Sequence, residues 1–214
     1  MNHSPVRTRL WASRLLEHRL VQPDDRSCGA SCLVVATALR DETYAELLVT
    51  GTHPVTRWWL PGTVEERFAA ETLAMHRRIT GPVGLSGRAQ LPWPRHLGTP
   101  PWAVRGQLST PQVPYVVKQA VVGRRRLFDT MRAPLEAGAP VAVFVGDHWA
   151  PRHVLLAIAV EGEEEVLFYD PAPGQLRRFH RSALVSYGAP LGRWHQPWCL
   201  VLPKVTPPAR RTGA

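Results

Sequence analysis

The chain has 214 residues, 44% of them hydrophobic, with a formal net charge of +9 and a pI near 10.5. That length suits one domain of ordinary size with a core of its own, and no apolar run approaches the roughly 20 residues that a membrane helix needs. Three cysteines are too few and too unevenly placed for a disulfide scaffold, and the charge-broken N-terminus lacks a signal peptide's apolar centre, so a cytoplasmic location is the expectation.

Residues 1–20 form an N-terminal amphipathic segment, with a short helix expected around Trp11, Leu15 and Leu16. Gln22-Pro23-Asp24-Asp25-Arg26-Ser27 then leads into Cys28-Gly29, which opens the apolar run Leu33-Val34-Val35-Ala36. The spacing predicts a helix from about Cys28 to Arg40, stopped near Asp41. Cys28 stands in its first turn, where exposed N–H groups and the positive end of the helix dipole favour the nucleophilic thiolate. Gln22 lies on the preceding loop, where its amide is placed to donate to an oxyanion at an attacked carbonyl. Cys32 follows one turn after Cys28, and Cys199 sits inside Pro197–Leu202; both read as small buried hydrophobes. Cys28, Cys32 and His153 are the one conceivable zinc set, but a Cys-x3-Cys pair without a second pair is a weak metal signal, and no cofactor is implied.

A second helical pattern spans Val64 to Ile79. The stretch from Gly81 to Pro114 is dense in Gly and Pro and is too long for a plain connector, so it reads as an ordered excursion or a mobile flap. Its Trp93 and Trp102 either pin it to the body, the favoured role, or line a substrate groove. Val113–Val117 is either a short edge strand or a helix start. Leu127–Ala137 is helical and stops at Gly138, and Pro140–Val145 is a strand. His153 heads a buried strand running to Val160, and Val166–Tyr169 is a second strand closing on Asp170-Pro171. A turn centred on Glu161-Gly162 pairs Val160 with Glu163 and His153 with Asp170, which brings their Cβ atoms to about 4.5–5.5 Å. Asp170 is then placed to orient the imidazole, as the third member of a triad does. His148, on the loop 147–149, is the rival base among nine histidines. Gln175–Phe179 and Trp198–Leu202 complete a mostly antiparallel sheet of about five strands, and 205–214 reads as a disordered tail. Helices first and strands second give an α+β fold.

Of the 26 basic residues two are lysine, Lys118 and Lys204. The basic clusters Arg124–Arg126 and Arg177–Arg181 are short, and no nucleic-acid-binding motif accompanies them. They read as solvated surface or as contacts for an acidic protein or substrate; nothing beyond charge supports a nucleic-acid partner.

Gln-x5-Cys-Gly-x-x-Cys near the N-terminus, a His before an apolar strand, and Asp-Pro seventeen residues later resemble the papain-like cysteine peptidases. The branch most similar is the one that removes double-glycine leader peptides from bacteriocins, although Ser27 stands where those enzymes usually carry an acidic residue. The resemblance covers 22–45 and 127–202, within a domain spanning 21–204; the middle, 46–126, matches nothing. It implies a papain-like cleft with Gln22 as oxyanion donor, Cys28 as nucleophile, His153 as general base and acid, and Asp170 as its orienter. The expected function is a cysteine-dependent hydrolase of a peptide or amide bond acting on a peptide or protein substrate. Acyl transfer on the same site, as in transglutaminase-like enzymes, and a catalytically silent peptide-binding module are the alternatives. No residue pattern specifies an oligomeric state.

Overall fold

Val141–Gly146 is buried at every residue, as expected for a strand covered on both faces. This strand (β2) is central in the computed structural model, which describes residues 10–83, 89–120, 124–186 and 190–204. Around it lie β1 (Tyr115–Gln119), β3 (Pro151–Glu161), β4 (Glu165–Asp170), β5 (Gln175–His180) and β6 (Gln196–Pro203). The six strands form one antiparallel sheet in the order β1-β6-β2-β3-β4-β5. The sixth strand is β1, which the sequence left open between strand and helix.

Seven helices are found among the described residues: α1 (Leu10–Leu16), α2 (Cys28–Ala38), α3 (Glu42–Thr50), α4 (Val64–Thr80), α5 (Pro101–Leu108), α6 (Leu127–Glu136) and α7 (Arg181–Val185). On one side of the sheet, α1 to α5 share a core with Phe144, Val154, Leu156, Tyr169 and Val201. On the other, α6 and α7 cover Val143, Val145, Leu155, Phe168 and Leu200. The fold is α+β, with helices on both faces of the sheet. The N-terminal segment supplies α1, whose Ala12 and Leu15 are buried; residues 1–9 and the tail 205–214 lie outside the described residues.

Three helices, α3, α5 and α7, lie where the sequence suggested none. The helix begun at Cys28, α2, ends at Ala38, and the Asp41 side chain accepts from Tyr44 N and so caps α3. In the Pro-rich excursion, Pro101 occupies the first turn of α5, the one helical position where a missing N–H costs nothing. The predicted Val64–Ile79 helix is α4, held at its start by a Thr63/Glu66 capping box.

The β3–β4 register differs from the predicted one. The turn is longer, with Gly162 at φ +62°, and pairs Val160 with Val166. A bulge between Ala157 and Ala159 then shifts the ladder back by one, giving Leu156↔Tyr169. Continued one step, that register sets Asp170 level with Leu155, two residues from His153.

Within the basic clusters, Arg124 is the residue that departs from the expected solvated surface. Arg124 is fully buried and donates to the carbonyls of Leu184, His195 and Ala183, tying α7 to the start of β6. In the second cluster, Arg177 pairs with Asp170, Arg178 with Glu161, His180 with Glu164, and Arg181 with Asp129. Arg124 thus serves the fold itself, whereas the second cluster lies on the surface with its charges paired there. Among the described residues no helix is long and apolar enough to cross a membrane.

Candidate active site

Cys28 is the first residue of α2, a helix apolar and buried almost all round because α4 and β3 enclose it. The preceding loop is wound on Asp24, whose carboxylate accepts from Arg26 N at 2.9 Å, while the Ser27 hydroxyl donates to Asp24 O at 3.3 Å. The Ser27 side chain therefore does not cap the helix, and the first-turn N–H groups of α2 have no side-chain acceptor. Gly29 is required by packing: a Cβ there would stand 2.6 Å from Thr99 Cβ. Its absence lets the segment before α5 press against the first turn of α2, beside the Cys28 sulfur.

His153 and Asp170 come from the same end of the sheet, His153 near the start of β3 and Asp170 at the last residue of β4. They face each other diagonally across the ladder, and the imidazole spans the extra distance, with His153 Nε2 2.8 Å from Asp170 Oδ1. Nε2 donating to the carboxylate leaves Nδ1 as the nitrogen available to Cys28, which interacts with the same ring. Asp170 Oδ1 also accepts from Ala172 N at 3.2 Å, and Oδ2 accepts from Arg177 Nη1 at 3.1 Å.

Burial would depress the His153 pKa, but the bonds to Asp170 and Cys28 and their charges outweigh it, raising the group from 6.5 to about 9. Burial alone would raise Asp170, yet the bonds from His153, Ala172 and Arg177 hold its carboxyl below the usual value. A histidine whose folded pKa exceeds its unfolded one stabilises the fold fully below the unfolded value and loses that contribution as pH rises through the folded value. The melting temperature is therefore expected to fall between about pH 6.5 and 9, with a smaller fall in His153→Ala. Differential scanning fluorimetry across that range checks it; identical slopes in the two proteins would contradict the assignment.

Cys28 and His153 open onto a cavity of about 610 Å³ whose wall includes Thr99, Trp93, Trp102 and Phe144. Trp93 and Trp102 meet edge to face with centroids 5.0 Å apart, which holds two parts of the excursion to each other, and both line the groove. Neither a protein-family model nor a curated protein matches this chain.

Three of the four expected site residues, Cys28, His153 and Asp170, are thus brought together. The side chain of Gln22 is not brought to Cys28. Its Nε2 donates to Asp24 O at 2.7 Å, its own N–H to Pro171 O at 2.9 Å, and it lines a neighbouring cavity with His153 and Asp170. His148 is exposed and rests on Trp149, with ring centroids 4.6 Å apart. Asp147 holds that loop by accepting from Trp149 N and Ala150 N, and His148 is absent from the cavity wall. Among the described residues no group of three or more His, Cys, Asp or Glu side chains is placed to hold a metal ion. Cys32 instead turns its thiol to Val154 O at 3.4 Å, and burial raises its pKa well above the usual thiol value; burial likewise raises Cys199 to about 11.

The sequence did not reveal Arg177 as a partner of Asp170. Its signal was available in the alternation of β5, because Asp170 pairs with Gln175 and Arg177 lies two residues further along the same strand.

Proposed function

We propose that this chain is a cysteine-dependent hydrolase of peptide or amide bonds, built on a papain-like arrangement and working through a thioester. The observation that carries this reading is the buried His153–Asp170 pair at 2.8 Å, with Cys28 on the same imidazole at the mouth of a substrate-sized cavity. The Cys28 thiolate attacks the carbonyl carbon, and the resulting oxyanion is received by the first-turn N–H groups of α2. The His153 imidazolium gives its proton to the leaving amine, and the C–N bond breaks to leave a thioester. Neutral His153 then takes a proton from water, the hydroxyl adds to the thioester, and the acid departs as the thiolate–imidazolium pair is restored. Leader-peptide removal is the narrower form of the proposal, carried by the Gln22, Cys28, His153 and Asp170 spacing.

The test is intact-mass and peptide-map analysis of the full chain with iodoacetamide, alongside a peptide-amide library. Cys28 is expected to alkylate at least about tenfold faster than Cys32 or Cys199, since burial disfavours thiolate at the latter two. Cys28→Ser should remove turnover, and product masses separate addition of water from addition of an amine. Equal, slow labelling of all three cysteines, or turnover surviving Cys28→Ser, would overturn the proposal.

A further inference from the structure

His153 stands between two cavities. The larger holds Cys28; the smaller, about 350 Å³, adjoins it along Asp25, Arg152, His153 and Trp194 and holds Asp170 but not Cys28. Granted the hydrolase reading above, the division has a chemical consequence. The acyl part of a substrate must lie over the sulfur that attacks it, and the leaving amine must come within reach of His153 Nδ1, the nitrogen on the Cys28 side. A leaving group that continues past His153 enters the smaller cavity, which the same residue lines.

Its wall carries three guanidinium groups, those of Arg152, Arg177 and Arg193. Arg152 engages Asp147 through Nε at 3.1 Å and Arg177 engages Asp170 through Nη1 at 3.1 Å, so each keeps further N–H donors in a half-exposed side chain. Arg193 stands at the tip of a tight turn closed by the Leu191 and Trp194 backbones. The turn sits directly on the catalytic pair: Gly192 has φ +72°, and a Cβ there would stand 3.3 Å from Asp170 Oδ2 and 3.5 Å from Arg177 Nη1. The left-handed φ and the short distance to the carboxylate oxygen both favour glycine here. The guanidinium of Arg193 lies 5.9 Å from the Trp194 ring centroid and has no carboxylate partner among the described residues. Two carboxylates also line this cavity. Asp170 is already held by His153 and Arg177, and Asp25 is largely exposed and faces Arg26 at 3.3 Å.

We infer that this cavity is a carboxylate subsite on the leaving-group side, with Arg193 as its principal ligand and Arg152 and Arg177 as supporting cations. A guanidinium fork matches a carboxylate in charge and geometry, and the amine released from a peptide bond carries one, either at its C-terminus or on an acidic side chain. The substrate class is then a peptide or amide cut close to a carboxylate on its leaving side, and Arg193 is a specificity-determining residue.

The experiment is calorimetric titration of the full chain, and of Arg193→Gln and Arg193→Lys, with three leaving-group mimics: Ala-Ala, Ala-Ala amide and Ala-Asp amide. At least one carboxylate-bearing peptide is expected to bind roughly tenfold more tightly than Ala-Ala amide. Ala-Ala as the tight one identifies a C-terminal carboxylate, and Ala-Asp amide a side-chain one. Arg193→Gln should abolish the preference, Arg193→Lys should keep most of it, and raising salt should weaken it. The amide binding as well as both acids, a preference that survives Arg193→Gln, or no binding of any peptide at millimolar concentration would each overturn the inference. The readout needs no turnover, so it stands or falls separately from the Cys28 chemistry: carboxylate binding with an inert Cys28 would keep the subsite and discard the hydrolase.

Discussion

His153→Ala is expected to lower turnover on the order of 10³–10⁴-fold, while His148→Ala leaves it essentially unchanged. In the proposed reaction the imidazole of His153 has two tasks: it holds the proton while Cys28 attacks, and it gives that proton to the leaving amine. No other histidine lines the Cys28 cavity except His96, which sits on the short turn Arg95–Leu97 and has no carboxylate holding its ring among the described residues. The variant should still fold. Asp170, left without the ring, keeps its bonds from Ala172 N and Arg177. Steady-state kinetics and far-UV circular dichroism on both variants check this. A folded His153→Ala variant with near-normal rate, or a His148→Ala variant with little rate left, would remove His153 from the proposed mechanism.

How far the site was legible depends on how local each signal is. Cys28 at a helix start is written in six or seven consecutive residues, because an apolar run after a Cys-Gly pair leaves few other local structures, and α2 begins there. The pairing of His153 with Asp170 was reached through the wrong register. The predicted turn was too short, and the bulge at Ala157/Ala159 cannot be read from sequence, since a bulged strand keeps its composition and changes only its phase. The two side chains meet all the same, because an imidazole is long enough to close a diagonal. The excursion was the least legible part. Pro100-Pro101 signals both a break and a helix start, and only packing of Ala103, Val104 and Leu108 into the core decides for the helix. Gln22 failed for a different reason: its place on the loop was right, but a carbonyl two residues on lies nearer to its amide than the sulfur's cavity does. Arg124 was taken for surface because three consecutive arginines usually are; here one of them satisfies carbonyls that α7 and the β6 approach would otherwise bury unpaired.

Asp170→Asn is expected to cost roughly 10³-fold in turnover, and the cost should shrink when Arg177 is changed as well. The carboxylate is surrounded by donors alone: His153 and Ala172 N at Oδ1, Arg177 at Oδ2. An asparagine has one oxygen to offer. If that oxygen faces His153, the NH₂ group points at the Arg177 guanidinium, donor against donor. If it faces Arg177, the NH₂ group confronts His153 Nε2, which then carries no hydrogen, and the ring takes the wrong tautomer for Cys28. Removing the guanidinium in Asp170→Asn, Arg177→Gln relieves the first arrangement, so the double variant should be faster than Asp170→Asn, a non-additive recovery of the kind two touching residues produce. The proton should report the same thing. In the parent, the alkaline limb of the rate is expected near pH 9, where His153 loses its proton; without the Asp170 charge, burial has less to oppose it and the limb should move to lower pH. Complete pH–rate profiles for the three proteins test both statements. A double variant slower than Asp170→Asn, with an alkaline limb unmoved in either, would mean that Asp170 and Arg177 brace the sheet end without orienting the base.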